Sequence, residues 1–263
     1  MNWAIEPTAQ PVLMAARGNT QGQLLLPTFA NHAPGLVPKR VRRAAPKKKE
    51  YLVRSPTLHL YTDSSPNGFK ISIALEELEL PYQLHHVRIA EGEHRQADFL
   101  KLHPHARIPV LVDESTGITV FESAAILLYL AEKSGRLLPQ QATARWEAIT
   151  WLMFHAASVG PILGQRVHFE MFADEALPVA IERYRRLSNE FFATLDQRLA
   201  DRPWLAGDEY SIADIAGFGW THIARVIDLD FSAYPNLSDW HARVAERPAV
   251  QRGVLIPEPA TGA

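Results

Sequence analysis

The segment from Arg107 to Leu130 constrains this chain more than any other. Arg107-Ile108-Pro109-Val110-Leu111-Val112-Asp113 reads as a strand opened by a proline, Glu114-Ser115-Thr116-Gly117 as a hairpin turn, and the residues up to Phe121 as a second strand. Glu122-Ser123 then starts a helix, with Ser123 expected at its N-cap. A proline pushes the residue before it out of helical geometry, so Ile108 can offer an unpaired N–H and C=O to a peptide lying alongside. The Ser123 hydroxyl and the N–H groups at the helix start can receive a carboxylate, and Glu122 an ammonium. One small zwitterionic ligand can use all three contacts.

The segments upstream give this corner a sheet to sit on. Thr57 to Tyr61 alternates in a strand pattern and runs into Ser64-Ser65-Pro66-Asn67-Gly68, a dense turn signal. From Phe69 to Leu78 the apolar positions recur at helical spacing until Pro81 stops them. Residues 82–89 read as a second strand and 97–102 as a short helix, and Gly135 closes the helix that begins at Ser123. The order is β-α-β-α-β-β-α, a small mixed sheet of four strands covered by helices.

After Pro139 the pattern changes. The clearest remaining segments, 143–157, 178–199, 211–224 and 237–246, are long and helical in period, so an all-α bundle is expected over 143–252, with a tail over 253–263. Ser211-Ile212-Ala213-Asp214 fits a capping box, a structural use for both side chains. Trp151, Phe154, Trp220 and Trp240 fall at helical spacings and are expected in the core or at an interface.

The chain has no cysteine, which excludes disulfides, thiolate metal sites and a protein-borne thiol nucleophile. His103 and His105 flank Pro104 without further ligands at metal spacing, so no metal is expected. The net charge of −2 hides an asymmetry, with nine Lys/Arg and two Glu in residues 1–55 and eighteen basic and twenty-seven acidic residues in the rest. Seven of the arm's cations fall between Lys39 and Lys49 without interleaved aromatics, so 1–55 reads as a solvated, extended or partly disordered basic arm, and nucleic acid is not an expected partner. No run of about eighteen apolar residues and no signal-peptide order is present, so a cytoplasmic protein without membrane spans is expected.

Taken in order, several blocks resemble the glutathione transferase superfamily, and specifically its nu class and the related Ure2-like proteins. They are Ser65-Pro66-Asn67-Gly68-Phe69-Lys70-Ile71, Arg107-Ile108-Pro109, Phe121-Glu122-Ser123 through Lys133, Gly160-Pro161-Ile162-Leu163-Gly164-Gln165, Ala180-Ile181-Glu182-Arg183-Tyr184, and Trp204-Leu205-Ala206-Gly207 through Asp214. The resemblance covers roughly 57–252. It implies a thioredoxin-like α+β domain over 56–136 followed by the all-α domain, a homodimer, and glutathione, reduced or as its disulfide, as a cosubstrate with no tightly bound cofactor.

The same resemblance implies the site residues. Pro109 would be a cis proline, Glu122 and Ser123 would hold the γ-glutamyl end, and Ser65 and Asn67 would donate to the sulfur at the start of the first helix, where N–H groups favour a thiolate. His94 stands where the class often has a glutamine, Arg107 keeps a cation before the Ile-Pro step, and Arg183 would bind a carboxylate of a second glutathione. Gln165, His168 and Phe169 are candidates for the substrate pocket wall. The implied activity is reduction of disulfides with glutathione thiols, with conjugation or peroxidase side activity. The alternative is a noncatalytic glutathione-binding protein that acts through its N-terminal arm.

Overall fold

The computed structural model describes residues 56–223 and 230–258; the basic arm over 1–55 lies outside the described residues. The chain begins with β1 (Leu58–Thr62), α1 (Pro66–Leu78), β2 (Tyr82–His86) and α2 (Ala97–Leu102), followed by β3 (Val110–Asp113), β4 (Ile118–Phe121) and α3 (Ser123–Ser134). The sheet order is β2-β1-β3-β4. β1 runs parallel to β2 with Leu58 opposite Tyr82, and the other pairs are antiparallel, with Tyr61 opposite Val110 and Val110 opposite Phe121. This is the thioredoxin-like order expected from the sequence.

The strand expected to reach Ile89 stops at His86. Val87 N–H donates the last rung to Thr62 at 2.8 Å; beyond it Arg88 N–H donates to Glu93 Oε2 at 2.7 Å and Ile89 N–H to the Asp63 carboxylate at 3.0 Å. That carboxylate also receives Ser64 N–H at 2.8 Å, so one acid fixes both the end of β2 and the β1–α1 turn. Asp113 does the same for the hairpin. Fully buried, it accepts from Tyr129 Oη at 2.6 Å and forms an ion pair with Lys133 Nζ at 2.7 Å, and these contacts hold its carboxyl well below the usual range. The second half of α3 is thereby tied to the β3–β4 turn.

Helix α1 is buried on all sides from Phe69 to Leu75. It packs against α3 and also against two helices of the second half, α7 (Ile212–Thr221) and α9 (Pro248–Gly253). Ser72 Oγ donates to the Gly253 carbonyl at 2.6 Å, and Arg247 clamps Glu77 through two bonds of 2.6 and 2.9 Å. The approach of α7 is close: a Cβ on Gly219 would sit 2.5 Å from the Pro66 carbonyl oxygen. One continuous core therefore joins sheet and bundle, with Ile71 and Leu75 in the same cluster as Phe218 and Trp240. Each such fully buried side chain contributes about 1.5–3 kcal/mol.

The other helices are α4 (Ala142–Phe154), α5 (Gly160–Val167), α6 (Pro178–Arg198) and α8 (Pro235–Ala245). The helix expected to end at 157 continues instead into α5 through a π-helical segment, His155–Val159. Pro161 has no N–H to return to the preceding turn, and the wider i→i−5 winding, with Gly160 N–H donating to His155 O, lets the chain pass it without a break. The helix expected over 211–224 is α7, which ends at Thr221, and Ala224 lies outside the described residues. No helix among the described residues is long and apolar enough to cross a membrane.

Candidate active site

Three chain ends meet at one edge of the sheet: the start of α1, the loop before β3, and the start of α3. The Ile108–Pro109 bond is cis. Ile108 precedes the ladder, whose last register pair is Tyr61 with Val110, and among the described residues its N–H and C=O make no backbone hydrogen bond. Ile108 lines a cavity of about 550 Å³ together with Ser65, Asn67, His94 and Arg107. A second cavity of about 630 Å³ is lined by Asn67, Lys70, Arg107, Glu122, Ser123, His155, Gln165, His168 and Trp220. Both volumes suit small-molecule sites, and the two cavities share Asn67 and Arg107.

At the start of α1, Ser65 is the N-cap and its Oγ accepts from Gly68 N–H at 3.0 Å, which leaves the hydroxyl proton for another acceptor. A Cβ on Gly68 would fall 2.4 Å from the Asp63 carbonyl oxygen, so only glycine lets the helix start this close to the turn. Asn67 is the second residue of the helix. Its Oδ1 accepts from Lys70 Nζ at 2.8 Å and from Trp220 Nε1 at 3.3 Å.

At α3 the structure corrects one expectation. Glu122, at φ 70°, is the N-cap, Ser123 is the first helical residue, and neither side chain caps the helix. Ordinary capping therefore does not account for this pair, and both side chains line the second cavity. Ser123 Oγ accepts from Lys70 Nζ at 3.3 Å.

Among the remaining candidates, His94 accepts from Arg95 Nε at 3.4 Å through Nε2, which places its own proton on Nδ1, and Nδ1 has no partner among the described residues. Burial and the Arg95 and Arg107 charges lower its pKa, so His94 stays neutral. Arg183 lies exposed on α6 and is not among the residues that line either cavity, and neither is Phe169, which stacks on Tyr184 at 5.5 Å. His105 N–H donates to His103 Nδ1 at 3.1 Å. Among the described residues no group of three or more His, Cys, Asp or Glu is placed to hold a metal.

Lys70, His155 and Trp220 were not singled out from the sequence as site residues. Lys70 is 3 % exposed, and burial pushes its pKa down to about 7 against the opposing field of Glu122. His155, 4 % exposed and in the π-helical segment, has no partner for either ring nitrogen among the described residues, and burial, then Lys70, lowers its pKa well below the usual value. A signal for Lys70 did exist: it lies three residues after Asn67, on the same face of a helix whose neighbouring positions are apolar.

Residues 56–132 match the glutathione S-transferase N-terminal domain and residues 172–248 the C-terminal domain. The disulfide-bond oxidoreductase YfcG of Escherichia coli is 39% identical over 203 residues, 75% of this chain and 94% of that protein. A glutathione transferase of Burkholderia graminis, solved with two glutathione molecules bound per subunit, is 39% identical at a TM-score of 0.72 and covers 76% of this chain and 88% of that one. A glutathione transferase of Pseudomonas putida, solved with one glutathione disulfide per subunit, is 36% identical at a TM-score of 0.73, covering 78% and 94%. With its two halves matched in order and a relative covered nearly end to end, the chain belongs to the glutathione S-transferase family.

Proposed function

We propose that the protein is a glutathione-dependent disulfide-bond reductase of the nu and Ure2-like type, acting as a homodimer. The observation that carries this reading is Asn67 at the junction of two cavities, in a chain with no cysteine of its own. Its amide oxygen is occupied by two protein donors, so its Nδ2–H groups are left for a ligand. A glutathione whose γ-glutamyl end lies at Glu122 and Ser123 and whose backbone pairs with Ile108 brings its sulfur past Asn67 and Ser65. There the amide, the hydroxyl and the start of α1 favour the thiolate. His94 and Arg107 lie along the same path and suit the glycyl carboxylate. Space beyond, at Gln165 and His168, suits a second glutathione or the disulfide substrate. Arg183 enters this role only if α6 or a second subunit brings it to the ligand.

The chemistry balances without a protein thiol. The bound thiolate attacks one sulfur of the disulfide, the S–S bond breaks, and the departing thiolate takes a proton. The thiolate of a second glutathione then attacks the mixed disulfide and releases glutathione disulfide and the second thiol, so two glutathiones supply two electrons. The protein contributes orientation and thiolate stabilisation.

The test is turnover of a small disulfide with glutathione by the full chain. Wild type is expected to turn over, and Asn67→Ala to lower the rate about 10²-fold, at least as much as Ser65→Ala. A wild-type protein that neither reduces the disulfide nor shows a thermal shift with glutathione overturns the reading.

A further inference from the structure

The lysine buried beneath this site is more than packing. Lys70 lies on the floor of the second cavity, and among the described residues it forms no ion pair. A fully buried, unpaired ammonium is costly, and nothing in the packing of α1 requires it, since an apolar side chain of equal length would fill the space against Gly219. What the ammonium does is link the start of α1 to Ser123, fifty-three residues from Lys70 in sequence, donating to Asn67 Oδ1 at 2.8 Å and to Ser123 Oγ at 3.3 Å.

Donor chemistry then fixes the orientation of both partners. An ammonium and an indole N–H can only donate, so the atom of Asn67 that faces Lys70 and Trp220 must be its oxygen, and the NH₂ group faces away from them. While it is protonated, Lys70 cannot accept either, so the Ser123 hydroxyl that accepts from Nζ sends its own proton to another acceptor. Resting on the glutathione reading above, we propose that Lys70 is a positioning residue that sets the donor polarity at both ends of the glutathione site, turning Asn67 Nδ2–H toward the thiolate and Ser123 O–H toward the γ-glutamyl carboxylate. Both ligand groups so addressed are anionic and compensate the buried charge when the ligand binds. Without the ammonium, the Asn67 amide can turn over and present its oxygen to the sulfur, where it repels the thiolate.

The full chain is compared with Lys70→Met and Lys70→Gln; the methionine keeps the stem without donor or charge, and the glutamine restores an amide donor. Two readouts are needed. The pKa of the bound glutathione thiol, followed by thiolate absorbance against pH, reports the Asn67 end, and the affinity for S-methylglutathione, which has no thiol, reports the Ser123 end. In Lys70→Met the thiol pKa is expected to rise by about one unit or more and S-methylglutathione to bind about tenfold more weakly, with Lys70→Gln intermediate. A lysine that merely fills space moves neither number in a folded variant.

If Lys70→Met is folded and both numbers match wild type, the positioning role is overturned while glutathione binding stands. If wild type itself binds neither glutathione nor S-methylglutathione, the site reading fails before Lys70 is tested. If Lys70→Met does not fold, Lys70→Gln and Trp220→Phe carry the test. Trp220→Phe removes the second donor to Asn67 Oδ1 and is expected to raise the thiol pKa by a few tenths; unchanged values in both variants overturn the proposal.

Discussion

Two buried polar clusters in this protein are built alike, and each has an indole N–H as a donor. In the bundle, Asp214 accepts from Trp240 Nε1 at 2.8 Å, from Leu205 N–H and Ser211 N–H at 2.9 Å each, and from Ser211 Oγ at 3.2 Å, with the Ser211 hydroxyl capping α7 through Ala213 N–H. At the cleft, Asn67 accepts from Trp220 and Lys70, and Lys70 reaches Ser123. The first cluster ends on itself, with the charge surrounded by donors. Among the described residues the second has an ammonium in no ion pair, a histidine whose ring nitrogens lack hydrogen-bond partners, and an amide that lines a cavity. A closed network is what a fold needs, and an open one with a buried charge is what a ligand completes.

Breaking the closed cluster has the largest effect. Asp214→Ala strands four buried donors and is expected to cost about 3–5 kcal/mol, lowering Tm by roughly 10 °C, while the folded fraction keeps its affinity for glutathione. Thermal melts and ligand titration of the variant check both halves, and an unchanged Tm would mean that the box is ornamental. Opening the other cluster should do the reverse. Lys70 has its pKa lowered from 10.5 to about 7, so the folded chain binds fewer protons than the unfolded one between those values, and stability is lost as pH falls through that window. Lys70→Met removes this loss. Its unliganded form is expected to be more stable than wild type by about 1–4 kcal/mol at pH 6, with the gain shrinking toward pH 10, and a lower Tm at pH 6 would contradict this.

The smallest of these effects concerns a pair of histidines that belongs to neither cluster. His241 stacks on Phe218 at 4.9 Å, and burial, then the nearby His222, pushes its pKa down to about 4. A base depressed on folding contributes stability that is present above the unfolded value near 6.5 and is lost as pH falls toward 4. The raised pKa of Asp214, about 6, acts in the opposite direction over the same range. His241→Phe is therefore expected to recover roughly 1–2 kcal/mol at pH 5 and little at pH 8, as read from Tm against pH.

The sequence made the sheet and the ligand corner legible because their signals are local. A proline before an alternating strand, a turn of four small polar residues, and an acid-hydroxyl pair ahead of an apolar run each mark a place without reference to the rest of the chain. The second cluster was hidden for the opposite reason. Lys70 is one charge in an apolar helix, and only the approach of α7 at Gly219 and of α3 at Ser123 makes it part of a site. Trp220 reads as core and is core, yet its N–H reaches Asn67 across 153 residues of sequence. Gly160-Pro161 looks like a break, and only the π-helical winding carries the helix through and places His155 at the cavity. Arg183 and Phe169, assigned through family likeness and not through local chemistry, line neither cavity.

On the proposed reading, the protein, which has no cysteine, lowers the pKa of a ligand thiol at Asn67. Titration of glutathione bound to the wild-type chain, followed by thiolate absorbance from pH 5 to 10, measures this directly. The bound thiol is expected to titrate at about pH 7 or lower, against about 8.5 for an ordinary thiol. A saturated complex that still titrates near 8.5 would contradict it.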